Sequence, residues 1–71
     1  MKKKKTPIGS RLVKLRLSNG LTQNETANQL GANRITYSGW ERDISEPPIC
    51  FLIKLAKLYG ITIDNLIDGK L

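Results

Sequence analysis

The sequence has no histidine and a single cysteine, Cys50, among its 71 residues. One thiol makes no internal disulfide. Without histidine there is no Ser-His or Cys-His catalytic pair and none of the common zinc-ligand sets. Long apolar runs are missing too: the longest, Ile49 to Ile53, falls far short of the roughly 20 residues a membrane span needs. An N-terminal lysine run is followed by no apolar segment, so no secretory signal is expected. A chain this short buries only roughly 60% of its unfolded surface, which leaves no room within it for a separate sensor or catalytic domain. Asp64 and Asp68 stand four apart, but no third group accompanies them as a catalytic set would require. These absences predict a soluble, cytoplasmic, one-domain protein that is not an enzyme and takes no metal or cofactor.

Acidic residues are also scarce, 6 against 12 Lys plus Arg. The basic surplus sits in the N-terminal part: residues 1–42 hold nine basic and two acidic side chains, residues 43–71 three and four. With a pI near 9.8, this is the footprint of a chain whose N-terminal half meets a polyanion. Lys2 to Lys5 repel one another and cannot pack, so residues 1–6 are expected to form a disordered basic arm that tracks phosphates. The remainder, 7–69, reads as one folded domain.

Within that domain the apolar residues repeat at helical, never strand-like, intervals. Ile8, Leu12 and Leu15 mark a first helix over about 8–18, with Pro7 in its first turn and Asn19-Gly20 as its stop; Val13 and Leu17 stay unexplained by that stripe. Thr22 and Glu25 have the spacing of a capping box, and Ala27, Leu30 and Gly31 continue and end a second helix over about 23–30. Asn33 suits the cap of a third, running to about Arg42. Pro48 opens a fourth whose Ile49, Leu52, Ile53, Leu55, Ala56 and Tyr59 predict a broad buried face, ended by Gly60. Thr62 caps a last short helix with Ile63, Leu66 and Ile67, closed by Asp68-Gly69. The expected fold is all-α, a bundle of five short helices.

The second and third helices carry the functional signal. Ala27, Gly31, Tyr37 and Trp40 provide a small residue where two backbones approach, a left-handed turn residue, and two bulky groups facing the core. A unit of this kind leaves the N-terminal half of its second helix projecting, and such a helix fits the DNA major groove. Together with Ile8-Gly9, Arg11-Leu12, Gly20-Leu21-Thr22-Gln23, Trp40-Glu41-Arg42, Pro47, Leu55-Ala56, Gly60 and Asp64-Asn65-Leu66, these residues resemble the phage repressor and Cro class of helix-turn-helix proteins, the xenobiotic-response-element type. The resemblance covers residues 8–67. It implies a lambda-repressor-like DNA-binding domain, with residues 33–42 as recognition helix.

Carried over position by position, the resemblance implies that Gln23 bonds a phosphate and braces a side chain of the recognition helix. Asn33 would cap that helix and reach phosphate. Arg34 would read a base, its fork matching O6 and N7 of guanine. Thr36 and Ser38 would make short contacts, Ile35 would touch a thymine methyl, and Arg11 and Arg42 would contact the backbone. Arg16 and Glu41 match a family pair that forms a structural salt bridge. Ile61, Ile63, Asn65 and Leu66 match its dimer contact, with Cys50 and Phe51 as apolar residues available to a partner surface. Two departures stand out: Gly39 replaces a long polar side chain, and Asp43 to Glu46 put two carboxylates where the family loop is basic.

The resemblance thus implies a transcriptional regulator, a repressor, that binds a double-stranded DNA operator as a homodimer, at least when on DNA. The alternative is a protein-interaction module, antitoxin-like or polymerase-contacting, that binds DNA only weakly. The thin recognition surface and acidic loop favour that alternative, and Arg34 with the basic N-terminal half opposes it.

Overall fold

The computed structural model describes residues 8–68; the expected basic arm, Pro7 and Gly69 lie outside them. Its elements follow in the order α1 (Gly9–Ser18), α2 (Gln23–Leu30), α3 (Arg34–Glu41), α4 (Ile49–Tyr59) and α5 (Ile63–Asp68). There is no strand among the described residues.

Local chemistry sets most of these ends. At the start of α2 the Thr22 hydroxyl accepts from the Glu25 amide at 3.0 Å, while the Glu25 carboxylate accepts from the Thr22 amide at 2.9 Å. Two of the donors that a helix start leaves without partners are thereby satisfied. Gly31 ends α2 with φ 77° and ψ 27°, a conformation that costs a side-chain-bearing residue strain, and the Ala32 amide returns to the Ala27 carbonyl. Two residues later Asn33 Oδ1 accepts from the amides of Ile35 and Thr36 at 2.7 and 3.4 Å and starts α3. The Thr62 hydroxyl does the same for α5, accepting from the Asn65 amide at 3.0 Å.

The core gathers residues from all five helices. Leu12, Tyr37, Leu55 and Leu66 are wholly buried, surrounded by Ile8, Ala27, Leu30, Trp40 and Ala56. α3 packs on α1 and α2, and α4 rests on α2 and α5. α1 is seated end-on against the close of α3: a Cβ built on Gly9 would lie 2.3 Å from the Glu41 carbonyl oxygen.

Three expectations about burial are corrected. On α4, Ile49 and Ile53 are 64% and 41% exposed rather than buried. At 100° per residue the face that α2, α3 and α5 cover is centred on Leu52, Leu55 and Tyr59, and Ile49 and Ile53 fall beyond its edge. Phe51 is half-buried rather than openly exposed; its ring centroid lies 5.1 Å from that of Trp40, and the Lys54 ammonium sits 5.1 Å from the Phe51 centroid. Leu66 is part of this chain's own core and cannot form a contact with a second copy. Cys50 is exposed, and so is Leu17 of the unexplained pair on α1.

The glycines of α1 and α3 separate packing from propensity. A Cβ on Gly39 would meet only the Ser45 hydroxyl, at an ordinary 3.4 Å. Gly39→Ala should therefore stabilise the chain by about 0.5–1 kcal/mol and raise its melting temperature by a few degrees. Gly9→Ala should destabilise it by at least about 1–3 kcal/mol, because the clash is with backbone that cannot turn aside. Urea denaturation of both variants checks the pair.

Candidate nucleic-acid interface

α3 has two unlike sides. Tyr37, Trp40 and Glu41 face the interior; Arg34, Ile35, Thr36 and Arg42 are exposed, and Ser38 and Gly39 are half-exposed between them. The inner side is anchored by rings: Tyr37 and Trp40 meet edge to face with centroids 5.8 Å apart. Such aromatic pairs add to the burial of their area and resist sliding.

The anchor beside the rings is ionic. The Glu41 carboxylate accepts from Arg16 Nε at 2.6 Å and Arg16 Nη2 at 3.3 Å, from Gln23 Nε2 at 2.9 Å, and from the Tyr37 hydroxyl at 2.6 Å. The Arg16 and Glu41 side chains are only 13% and 2% exposed, so water screens the pair little. Arg16 Nη1 also donates to the Leu21 carbonyl at 2.9 Å, which holds the turn before α2. Burial by itself pushes the Glu41 carboxyl upward; the hydrogen bonds from Arg16, Tyr37 and Gln23 outweigh it and hold the group below the ordinary carboxylate value. Burial, then the bond to Glu41, drives the Tyr37 phenol well above its ordinary value, so it remains a donor. Bonding to Glu41 likewise raises the Arg16 guanidinium.

The residues expected to act together are not all brought together. Asn33, Arg34, Ile35 and Thr36 cluster at the start of α3, with Ile35 72% exposed. Arg42 follows its last turn. Gln23 Nε2 donates to the interior carboxylate of Glu41, itself a side chain of α3, at 2.9 Å. Arg11 stands apart. Its Nη1 donates to the carbonyls of Leu66 and Ile67 at 2.9 and 2.8 Å, so the guanidinium expected at a phosphate is engaged at the end of α5.

Asp43 has a role beyond its charge in the loop. It adopts φ 58°, in the left-handed region that aspartate tolerates better than most residues. There its carboxylate accepts from the Gly9 amide at 3.1 Å, at the positive end of α1, whose own preceding residue, Ile8, has no side chain able to cap. The missing cap at Ile8 was the legible signal. Lys54 performs the opposite service, donating to the Leu30 carbonyl at 3.1 Å at the end of α2. Among the described residues no three His, Cys, Asp or Glu side chains are grouped to hold a metal ion, and no helix is long and apolar enough to cross a membrane. A cleft of about 260 Å³ between Ile8, Asp43, Pro47, Leu52 and Ile67 takes in none of the outward residues of α3.

Known proteins share this arrangement. A helix-turn-helix family model matches residues 12–66. The chain is similar to the cryptic phage CTXphi transcriptional repressor RstR of Vibrio cholerae, 36% identical over 63 residues that make up 89% of this chain and 57% of the relative. It spans about half the length of the curated relatives it matches. Among solved structures it resembles the P22 c2 repressor in complex with a synthetic operator, with TM-score 0.83 and 27% identity, covering 89% of this chain and 96% of that one. It also resembles SinR of Bacillus subtilis in its complex with SinI, with TM-score 0.81 and 30% identity, covering 89% and 62%.

Glu41→Gln should cost about 3 kcal/mol of stability, because it leaves the Arg16 charge largely out of water without a counter-charge. A carboxylate held below 4.5 stabilises the fold fully above that pH, and its contribution is lost as the pH falls through the lower folded value. Wild-type stability should thus fall more steeply with acid below pH 4.5 than that of the variant. Parallel acid limbs for the two chains would refute this account.

Proposed function

The chain belongs to the helix-turn-helix family, of the Cro/C1 type, and from that premise we propose that it regulates transcription in the cytoplasm by occupying an operator in duplex DNA. One observation carries the reading. A helix fixed from behind by Tyr37, Trp40 and Glu41 presents a capped N-terminus bearing Arg34, Ile35 and Thr36 to solvent. That end of a recognition helix is the part that reaches base edges when the helix lies in the major groove.

In this reading Arg34 reads guanine through its bidentate fork, Ile35 meets a thymine methyl, and Thr36 and Ser38 make shorter contacts. Asn33, Gln23 and Arg42 hold the phosphates, joined by the basic arm of residues 1–6 ahead of a binding unit over 7–69. Occupancy that blocks transcription suits the named repressors among its relatives. One recognition helix covers half a site, so two copies bind with their helices ~34 Å apart. Half-exposed Ile61, Ile63 and Asn65, without the buried Leu66, form the contact between copies.

A second reading, a protein-binding module, is favoured by the exposed Ile49 and Ile53 on α4 and by the likeness to SinR in its complex with SinI.

Selection from a random duplex pool tests the first reading. The wild type should enrich a two-fold-symmetric sequence. Arg34→Ala should lose one or two fixed base pairs per half-site, at about 1–3 kcal/mol each, and Arg42→Ala should weaken all sequences alike and lower the salt slope by about one. No enriched sequence from the wild type would shift the assignment to the protein-binding reading.

A further inference from the structure

α1 touches both parts of the molecule that a two-fold binder must keep in register. Arg16 is bonded to Glu41 at the end of α3, and the backbone of Gly9 is seated on the Glu41 carbonyl. At 100° per residue, Gly9 and Arg16 share one side of α1 and Arg11 lies on the opposite side. From there its guanidinium donates to the carbonyls of Leu66 and Ile67 at 2.9 and 2.8 Å. These are carbonyls that a helix end leaves without intrahelical donors, at its negative pole, where a cation is favoured.

α5 depends on such a tie. Six residues are too few to hold a helix by their own hydrogen bonds. It is attached through the Leu66 side chain, 0% exposed in the core, through the partly buried Ile61 and Ile63 against that core and α4, and through the Arg11 clamp. Apolar packing resists withdrawal but has no direction of its own; two directional bonds at the far end fix the rotation of the element. The half-exposed Ile61, Ile63 and Asn65 lie on this element and the segment entering it.

We propose that Arg11 is a positioning residue for assembly on DNA. By clamping α5 to α1, which is itself fixed to α3, it sets the angle between the contact joining two copies and the recognition helix. The separation of half-sites that two copies accept follows from that angle. This rests on the operator-binding dimer proposed above.

The test uses the full chain and three kinds of duplex: the symmetric sequence selected by the wild type, versions with its half-sites one base pair nearer or farther, and a single half-site. For Arg11→Gln, half-site affinity should stay within about twofold of wild type, since the clamp is remote from α3. Affinity for the symmetric site should fall about tenfold, and the preference over the respaced sites should flatten. Arg11→Lys keeps the charge but not the planar donors, and should lie between the two. If Arg11→Gln fails to fold, Arg11→Lys carries the same comparison. Proportional loss on half-site and full site, with a salt slope lower by about one, overturns the proposal in favour of a phosphate contact. An unchanged spacing preference in a folded variant overturns it in favour of a purely structural clamp. A wild type that gains nothing from the second half-site overturns the dimer reading itself, and this proposal with it.

Discussion

The Glu41 carboxylate accepts hydrogen bonds from Arg16 on α1, Gln23 at the start of α2 and Tyr37 one turn earlier on α3. One acceptor therefore relates three helices to a common point. Withdrawing a carboxylate from water costs several kcal/mol, and the cost is offset only when its lone pairs find donors of good geometry. Here four donor contacts do so. An apolar residue of similar volume would also fill the space, but dispersion has no direction. The carboxylate accepts only those crossings of α1, α2 and α3 that bring the donors within reach, and the outward face of α3 takes its position from that choice.

The same ordering explains how an eight-residue helix serves two environments. Tyr37, Trp40 and Glu41 close the interior, and their rigidity is transmitted through covalent geometry to Arg34, Ile35 and Thr36 one turn away. Asn33 completes the arrangement by satisfying amides that would otherwise need water at the exposed helix start. The loop after α3 is tied back as well. Asp43 accepts a left-handed backbone and places its carboxylate on α1, so part of the loop's negative charge has a structural use.

Most of the architecture was legible in the residues. The Thr22–Glu25 box, Gly31, Asn33, Gly60 and Thr62 mark helix ends to within a residue or two, and the inward placement of Tyr37 and Trp40 follows from their spacing. The Arg16–Glu41 pair was expected from a family likeness and is present. What escaped was partnership at a distance. Ile49 and Ile53 look as buriable as Leu52 and Leu55, yet the edge of the covered arc falls between them. Arg11 and Arg42 are alike as basic surface residues, but one meets the carbonyls of α5 and the other stands exposed after α3. Leu66 matches a dimer position by register and a core position by depth, and depth is not written in register.

The sequence by itself determined where most of the helices begin and end and which side of α3 is apolar. Caps, left-handed turn residues and the 3.6-residue period act between neighbours in the chain, and neighbours are known from the sequence. Only the tertiary structure decided which apolar side chains lose their water and which charges find partners. Those outcomes depend on groups far apart in the chain: Arg16 and Glu41 are 25 residues apart, and Arg11 and Ile67 are 56 apart. No local pattern encodes such meetings; they exist only once the helices have chosen how to cross.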